Sequence, residues 1–142
     1  MMAKRDAVEI LVGFAAGPNG SGLVYATARS SETQAVQLRV PFSVRRSAGT
    51  DGREVAYAAV TALCKALRSR GGRAIQLRFG DAAIAAELRG DGTRHPALAM
   101  AYVSMRCAMN ALGVVSVESA PAEAVADLEV RARAETAFEM AA

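Results

Sequence analysis

The chain has few of the side chains that usually carry metal or redox chemistry. Its 142 residues include one histidine, two cysteines and no tryptophan. Cys64 and Cys107 are far apart and lack CxxC spacing, so they predict small buried thiols rather than a disulfide or a zinc site. His95 precedes Pro96 at a predicted helix start, where a surface or capping role is the simplest expectation. This supply of ligands excludes a zinc centre of several histidines and cysteines.

Long apolar runs are also missing from the sequence. No stretch reaches the ~20 consecutive apolar residues that a membrane span needs. Met1–Asp6 is not followed by the long apolar run and cleavage site of a signal peptide. We therefore expect a cytoplasmic protein with no membrane partner.

Aromatic residues make up 5% of the chain, whereas apolar residues of all kinds make up 52%. The core must therefore be built from aliphatic side chains and methionine, which pack densely without aromatic stacking. The length suits one domain over residues 1–142.

Charge is divided unevenly along the chain. Between Val36 and Arg89 there are ten basic and four acidic residues, a net charge of +6. From Pro121 to the end there are five acidic and two basic residues, a net charge of −3. A basic middle and an acidic end suit an anionic partner on one side of the protein, although solvated arginines give the same pattern.

The first third of the sequence predicts three antiparallel strands. Ala7–Ala16 is almost continuously apolar, which is typical of a strand buried on both faces near the middle of a sheet. Gly17–Gly22 is dense in turn residues, with Asn19-Gly20 as the strongest hairpin signal. Leu23–Arg29 and Gln34–Phe42 predict the second and third strands, the third with one wetter face.

The remaining sequence alternates helices with strands, which implies crossover connections and parallel pairing. We predict, in order, a helix over Arg53–Arg70, a strand over Ala74–Phe79, a short helix capped by Asp81, a helix after His95-Pro96, a strand over Val114–Glu118, and a helix opened by Pro121. The stripe of Met100, Met105 and Met109 around Tyr102 indicates core rather than a binding groove.

This order of elements resembles the ribonuclease H-like family in its short prokaryotic form. Gly17–Gly22 is similar to that family's Asn-Pro-Gly-type turn, and Gly90 with His95-Pro96 to the loop between its middle helices. Pro121-Ala122-Glu123, followed by Ala126 and Ala132, resembles the entry to its last helix. The resemblance implies an α/β fold: a mixed five-stranded sheet, with a three-stranded antiparallel meander plus two parallel strands, flanked by helices.

Enzymes of this family hold two metal ions ~4 Å apart with four carboxylates, and divalent ions such as Mg²⁺ need such hard oxygen ligands. Aligned with that pattern, three carboxylate positions fall on Gly13, Ala56 and Gly80, and the fourth falls on Glu129. The resemblance therefore implies a ribonuclease H-like protein without its catalytic residues, cofactor or bound metal.

Shifted acids leave an active alternative open. Asp81 neighbours Gly80 in sequence, and Glu54 lies two residues from Ala56, which is ~200° around a helix. Glu9 is the nearest acid to Gly13 on the first strand, ~13 Å away along it. An active hydrolase of RNA–DNA hybrids would have to use Asp81, Glu129 and Glu54 with Mg²⁺ or Mn²⁺ in a rearranged site.

Phe14 and Phe79 adjoin the vacated positions in sequence, and we predict that they fill the former metal pocket with apolar volume. The family binds RNA–DNA hybrids across its sheet and first helix. We therefore expect binding of RNA–DNA hybrid or RNA without sequence preference, through phosphate contacts from Arg39, Arg45, Arg46, Arg53 and Arg78. A protein–protein module, including a homodimer, is the remaining alternative.

Overall fold

Five strands and four α-helices form the part of the chain that the structure, a computed structural model, describes. That part covers residues 8–30, 35–45, 52–71, 74–90 and 95–141, without the side chains of Val115 and residues 138–141. The strands are β1 (Val8–Ala16), β2 (Ser21–Arg29), β3 (Val36–Ser43), β4 (Ile75–Phe79) and β5 (Val114–Ser119). The helices are α1 (Arg53–Ser69), α2 (Ala82–Arg89), α3 (Ala99–Leu112) and α4 (Ala122–Ala141), with a 3₁₀ turn at Pro96–Leu98 before α3.

The sheet has the strand order β3-β2-β1-β4-β5, with β1 at its centre. β1 pairs antiparallel with β2 and parallel with β4, while β2 pairs antiparallel with β3 and β4 parallel with β5. The predicted meander and parallel pair are therefore confirmed. β1 is almost continuously apolar because a strand at the centre of this sheet is covered on both faces.

The two faces of the sheet carry different helices. Ile10 and Val12 of β1 belong to the main core, which α1, α2 and α3 complete. Leu11, on the opposite face, packs with Val125 and Leu128 of α4 in a second, smaller cluster. The alternation of β1 side chains between faces thus separates a three-helix layer from a one-helix layer.

Helix α3 packs on α1, and Leu98 of the 3₁₀ turn together with Met105, Met109 and Leu112 of α3 is at most 3% exposed. Met100, in contrast, is 78% exposed, so its predicted place in the core is wrong. Cys64 is buried, and burial raises the pKa of its thiol to about 12, whereas Cys107 is exposed and was wrongly predicted as buried. Met100 and Cys107 each lie two residues from a buried position, ~200° around the helix.

Caps at the helix ends follow the sequence closely. Asp81 Oδ1 accepts a hydrogen bond from Ala83 N at 2.8 Å, so Asp81 is the predicted cap of α2. His95 Nδ1 accepts one from Ala97 N at 3.0 Å and caps the 3₁₀ turn. Among the described residues, no helix is long and apolar enough to cross a membrane.

An ion-pair network joins three neighbouring strands on the α4 face. Glu9 of β1 accepts hydrogen bonds from Arg29 of β2 and from Arg78 of β4, the latter at 3.0 Å. The Arg29 hydrogen bond is the main reason that the pKa of Glu9 is lowered, and Arg78 adds to it against the opposing effect of desolvation. The stabilisation depends on the charged carboxylate.

Glu9→Gln should therefore flatten the acid dependence of stability. A folded-state pKa below the ordinary 4.5 gives stability that is present above that value and lost as the pH falls through the folded pKa. Urea unfolding between pH 7 and pH 3 should show a smaller loss in the variant than in the wild type. Glu123→Gln, an exposed acid in α4, is the matched control and should keep the wild-type loss. Equal losses in Glu9→Gln and the wild type would contradict the assignment.

Candidate functional site

Gly13 lies in the middle of the sheet, directly beneath helix α4. A Cβ atom at this position would lie 2.6 Å from the backbone nitrogen of Glu129 and 2.7 Å from the carbonyl carbon of Leu128. Neither of these is the movable end of a side chain, so the helix itself would have to shift. Position 13 is therefore occupied by a close helix–strand contact.

Gly80 is at the end of β4 and also faces α4. A Cβ here would collide with Cγ2 of Val125 and lie 3.5 Å from Oε1 of Glu129. Gly13, Gly80 and Glu129 are thus brought together around one turn of α4, where Glu129 supplies a carboxylate and the two glycines supply none.

Ala56 lies on the other side of the sheet. It is buried on α1 and lines a cavity of about 450 Å³ together with Phe14, Asp81 and Glu87. Phe14 contacts Phe79 edge to face, with ring centroids 6.4 Å apart. Phe14 forms one wall of this cavity, while Phe79 is buried in the main core.

The three acids of the rearranged metal site lie in different places. Asp81 is held at the start of α2 by its capping bonds. Glu54 is 5% exposed and lines a separate groove beside α1, while Glu129 is on α4 across the sheet. Within the described ranges, no three His, Cys, Asp or Glu side chains cluster closely enough to hold a metal ion.

Two of the predicted nucleic-acid arginines lie on the α4 face in ion pairs. Arg39 of β3 donates from Nε to Glu135 of α4 at 2.8 Å, and Tyr25 donates to the same carboxylate. The Arg39 hydrogen bond is the main cause, and Tyr25 the second, of the lowered pKa of Glu135. Arg78 bonds Glu9 and also donates to the carbonyl oxygen of Ser119 at 3.0 Å. These arginines fasten strands and helix to each other.

Of the other three predicted arginines, Arg45 and Arg53 are among the described residues, and both lie on the α1 side of the sheet. Arg53 Nη1 donates a hydrogen bond to Glu87 at 3.1 Å. The hydroxyl of the buried Tyr57 donates to the same Glu87 oxygen at 2.9 Å. These two hydrogen bonds join α1 to α2. Arg45 is exposed just after β3. Arg46 lies outside the described residues.

Arg45 is part of a groove that sequence reasoning missed. The groove has a volume of about 530 Å³ and runs between the end of β3, α1 and the start of α3. The residues that form its α1 wall are Glu54, Tyr57, Ala58, Thr61, Ala62 and Lys65. These residues recur every three or four positions along α1. A second stripe beside the apolar one was therefore the sequence signal that could have predicted the groove.

Comparison with solved structures identifies the fold. The chain has the ribonuclease H-like fold. Ribonuclease H1 from Halobacterium salinarum superposes with a TM-score of 0.71 at 19% sequence identity, over 94% of this chain and 99% of that one. The N-terminal ribonuclease H domain of a Mycobacterium tuberculosis protein, solved as a fusion with maltose-binding protein, gives 0.68 at 14% identity, over 96% and 100%.

A third structure is a ribonuclease H1 isolated from compost by a metagenomic approach, solved in complex with an RNA/DNA hybrid. It superposes with a TM-score of 0.60 at 13% identity, over 89% of this chain and 94% of that one. No protein-family model matches the sequence, and no curated protein does.

Gly13→Ala and Gly80→Ala form a matched pair that tests the packing under α4. Alanine normally stabilises a strand relative to glycine by ~0.5–1 kcal/mol. At position 13 the new methyl group meets backbone, so we expect a net loss of about 1–3 kcal/mol in the free energy of unfolding. At position 80 it meets a methyl group of the buried Val125, a side chain that can shift at less cost than a helix backbone, so the loss should be smaller. Urea unfolding measures both, and a Gly13→Ala variant as stable as the wild type would refute the contact.

Proposed function

We propose that this protein is a ribonuclease H-fold nucleic-acid-binding module that does not hydrolyse its ligand by the two-metal mechanism. The observation that carries the proposal is the packing of the α4 backbone on Gly13. A carboxylate side chain at position 13, where the family resemblance places the central metal ligand, would have to displace that helix. A cytoplasmic location and a single-domain organisation belong to the same proposal.

Nucleic acid as the ligand is supported by the fold and by charge. One of the similar structures holds an RNA/DNA hybrid. Here the exposed Arg45 and Lys65 line one groove beside α1, and Arg68 and Arg70 are exposed at the end of the same helix. Guanidinium and ammonium groups along one helix suit successive phosphates of a nucleic-acid strand.

The described ion pairs refine which arginines contact the ligand. Arg39 and Arg78 bond to carboxylates and lie under or beside α4, so we assign them a structural role. Arg53 is also ion-paired, but it lies on the α1 side with Arg45 and Lys65. Because aromatic stacking residues are scarce, binding would depend on phosphates and carry little base preference.

A protein-binding role is the second candidate, and one observation favours it. Met100 and Val103 on α3 are 78% and 55% exposed, next to the groove that Arg45 lines. A rearranged metal-dependent hydrolase is less well supported, because Asp81 caps a helix and Glu54 and Glu129 lie elsewhere.

The protein should bind a labelled RNA–DNA hybrid without cutting it. Fluorescence anisotropy measures binding in Mg²⁺ or Mn²⁺, and gel electrophoresis of the same samples measures cleavage. Affinity should fall steeply with salt because bound phosphates release counterions. Cleavage that Asp81→Asn or Glu129→Gln abolishes would overturn the degenerate assignment. Absence of both binding and cleavage would favour the protein-binding role.

Arg45→Ala combined with Lys65→Ala should weaken hybrid binding about tenfold or more. The slope of log K against log salt should fall in magnitude by about two, one unit for each lost phosphate contact. Arg131→Ala combined with Arg133→Ala removes the same charge from exposed positions on α4 and is the matched control. If both double variants weaken binding equally, the effect is one of net charge and the α1 groove is not the site.

A further inference from the structure

A second basic cavity lies at the outer edge of the sheet, away from the α1 groove. It has a volume of about 580 Å³ and lies along β5, between the end of α2 and α3. Arg89 and Arg106 line it together with Ser116 and Glu118. A cavity of this size is within the range of small-molecule sites.

Arg89 is held in place by the edge strand. It is the last residue of α2, and its Nη1 donates a hydrogen bond to the carbonyl oxygen of Val117 at 2.9 Å. A bond from one end of the guanidinium orients the whole planar group, since its N–H donors are fixed relative to each other. Arg89 is therefore positioned beside the cavity by a backbone contact.

A second guanidinium group accompanies Arg89 in this cavity. Arg106 comes from α3 and is half-buried. Two guanidinium groups from two different helices therefore line the same cavity.

We propose that this cavity binds a phosphate monoester, with Arg89 and Arg106 contacting its oxygens. Two guanidinium groups match an oxyanion that can accept from both, and a phosphate monoester carries about −1.5 to −2 charge at pH 7. The two guanidinium charges attract a doubly charged ester more strongly than a singly charged carboxylate or backbone diester, while Glu118 at the rim opposes any anion. The site is independent of the α1 groove and of hybrid binding there.

Thermal unfolding in inorganic phosphate, with ionic strength held constant by sodium chloride, tests the site. A ligand that binds the folded state raises Tm in a saturable way. Arg106→Gln should weaken phosphate binding about tenfold or more, the usual loss with a charge-assisted hydrogen bond. Glu118→Gln should strengthen it by about threefold, because it removes an opposing charge. Arg133→Gln on α4 is the matched control and should behave as the wild type.

The source of the phosphate is distinguished by a second probe. The binding of a 5′-phosphorylated oligonucleotide is compared with that of the same oligonucleotide ending in a 5′-hydroxyl. A preference for the phosphorylated end that Arg106→Gln removes would identify a nucleic-acid terminus. A response to inorganic phosphate alone would identify a small phosphorylated molecule.

Two results would overturn the proposal. One is a Tm response to phosphate that Arg106→Gln and Glu118→Gln leave unchanged, and the other is no response at all. If Arg106→Gln does not fold, Glu118→Gln still decides, because the proposal requires its affinity to rise. Hybrids with 5′-hydroxyl ends measure the α1 groove separately, so loss of one site does not mimic loss of the other.

Discussion

The contact between Gly13 and the backbone of α4 is the constraint on which the rest of this structure depends. It sets how closely the single helix of one layer approaches the central strand. Leu11, Val125 and Leu128 then pack around the contact to form the smaller core. A side chain at position 13 would separate helix from sheet, so the packing of this layer depends on a glycine there.

Several ion pairs among the described residues stabilise this same layer. Glu135 of α4 accepts from Arg39 and Tyr25, which fastens the helix to β3 and β2. Glu9 joins the strands beneath through Arg29 and Arg78. Since these pairs are partly exposed, each contributes modestly, and their effect is greatest as a connected network. The charges counted along the sequence therefore divide into some that hold the sheet and helix together and others that face outward.

The order of elements could be predicted because each one satisfies a local rule. Continuous apolar residues in β1, turn residues at Gly17–Gly22 and the cap at Asp81 act over a few positions, and the structure confirms them. Met100 and Cys107 were placed wrongly because both sit beside a buried stripe and are themselves apolar or small. Apolar character alone does not determine which side of a helix a residue occupies.

The candidate sites were harder to predict, because they depend on contacts between distant residues. Arg39 and Arg45 look alike in sequence. Among the described contacts, however, only Arg39 bonds to Glu135, which lies 96 residues further along the chain. Lys65 joins Arg45 only once β3 and α1 are adjacent, and Arg89 joins Arg106 only once α2 and α3 flank β5. A count of basic residues measures the supply of cations. The fold decides which of them bond to carboxylates, as Arg39 and Arg78 do, and which residues line the two basic cavities.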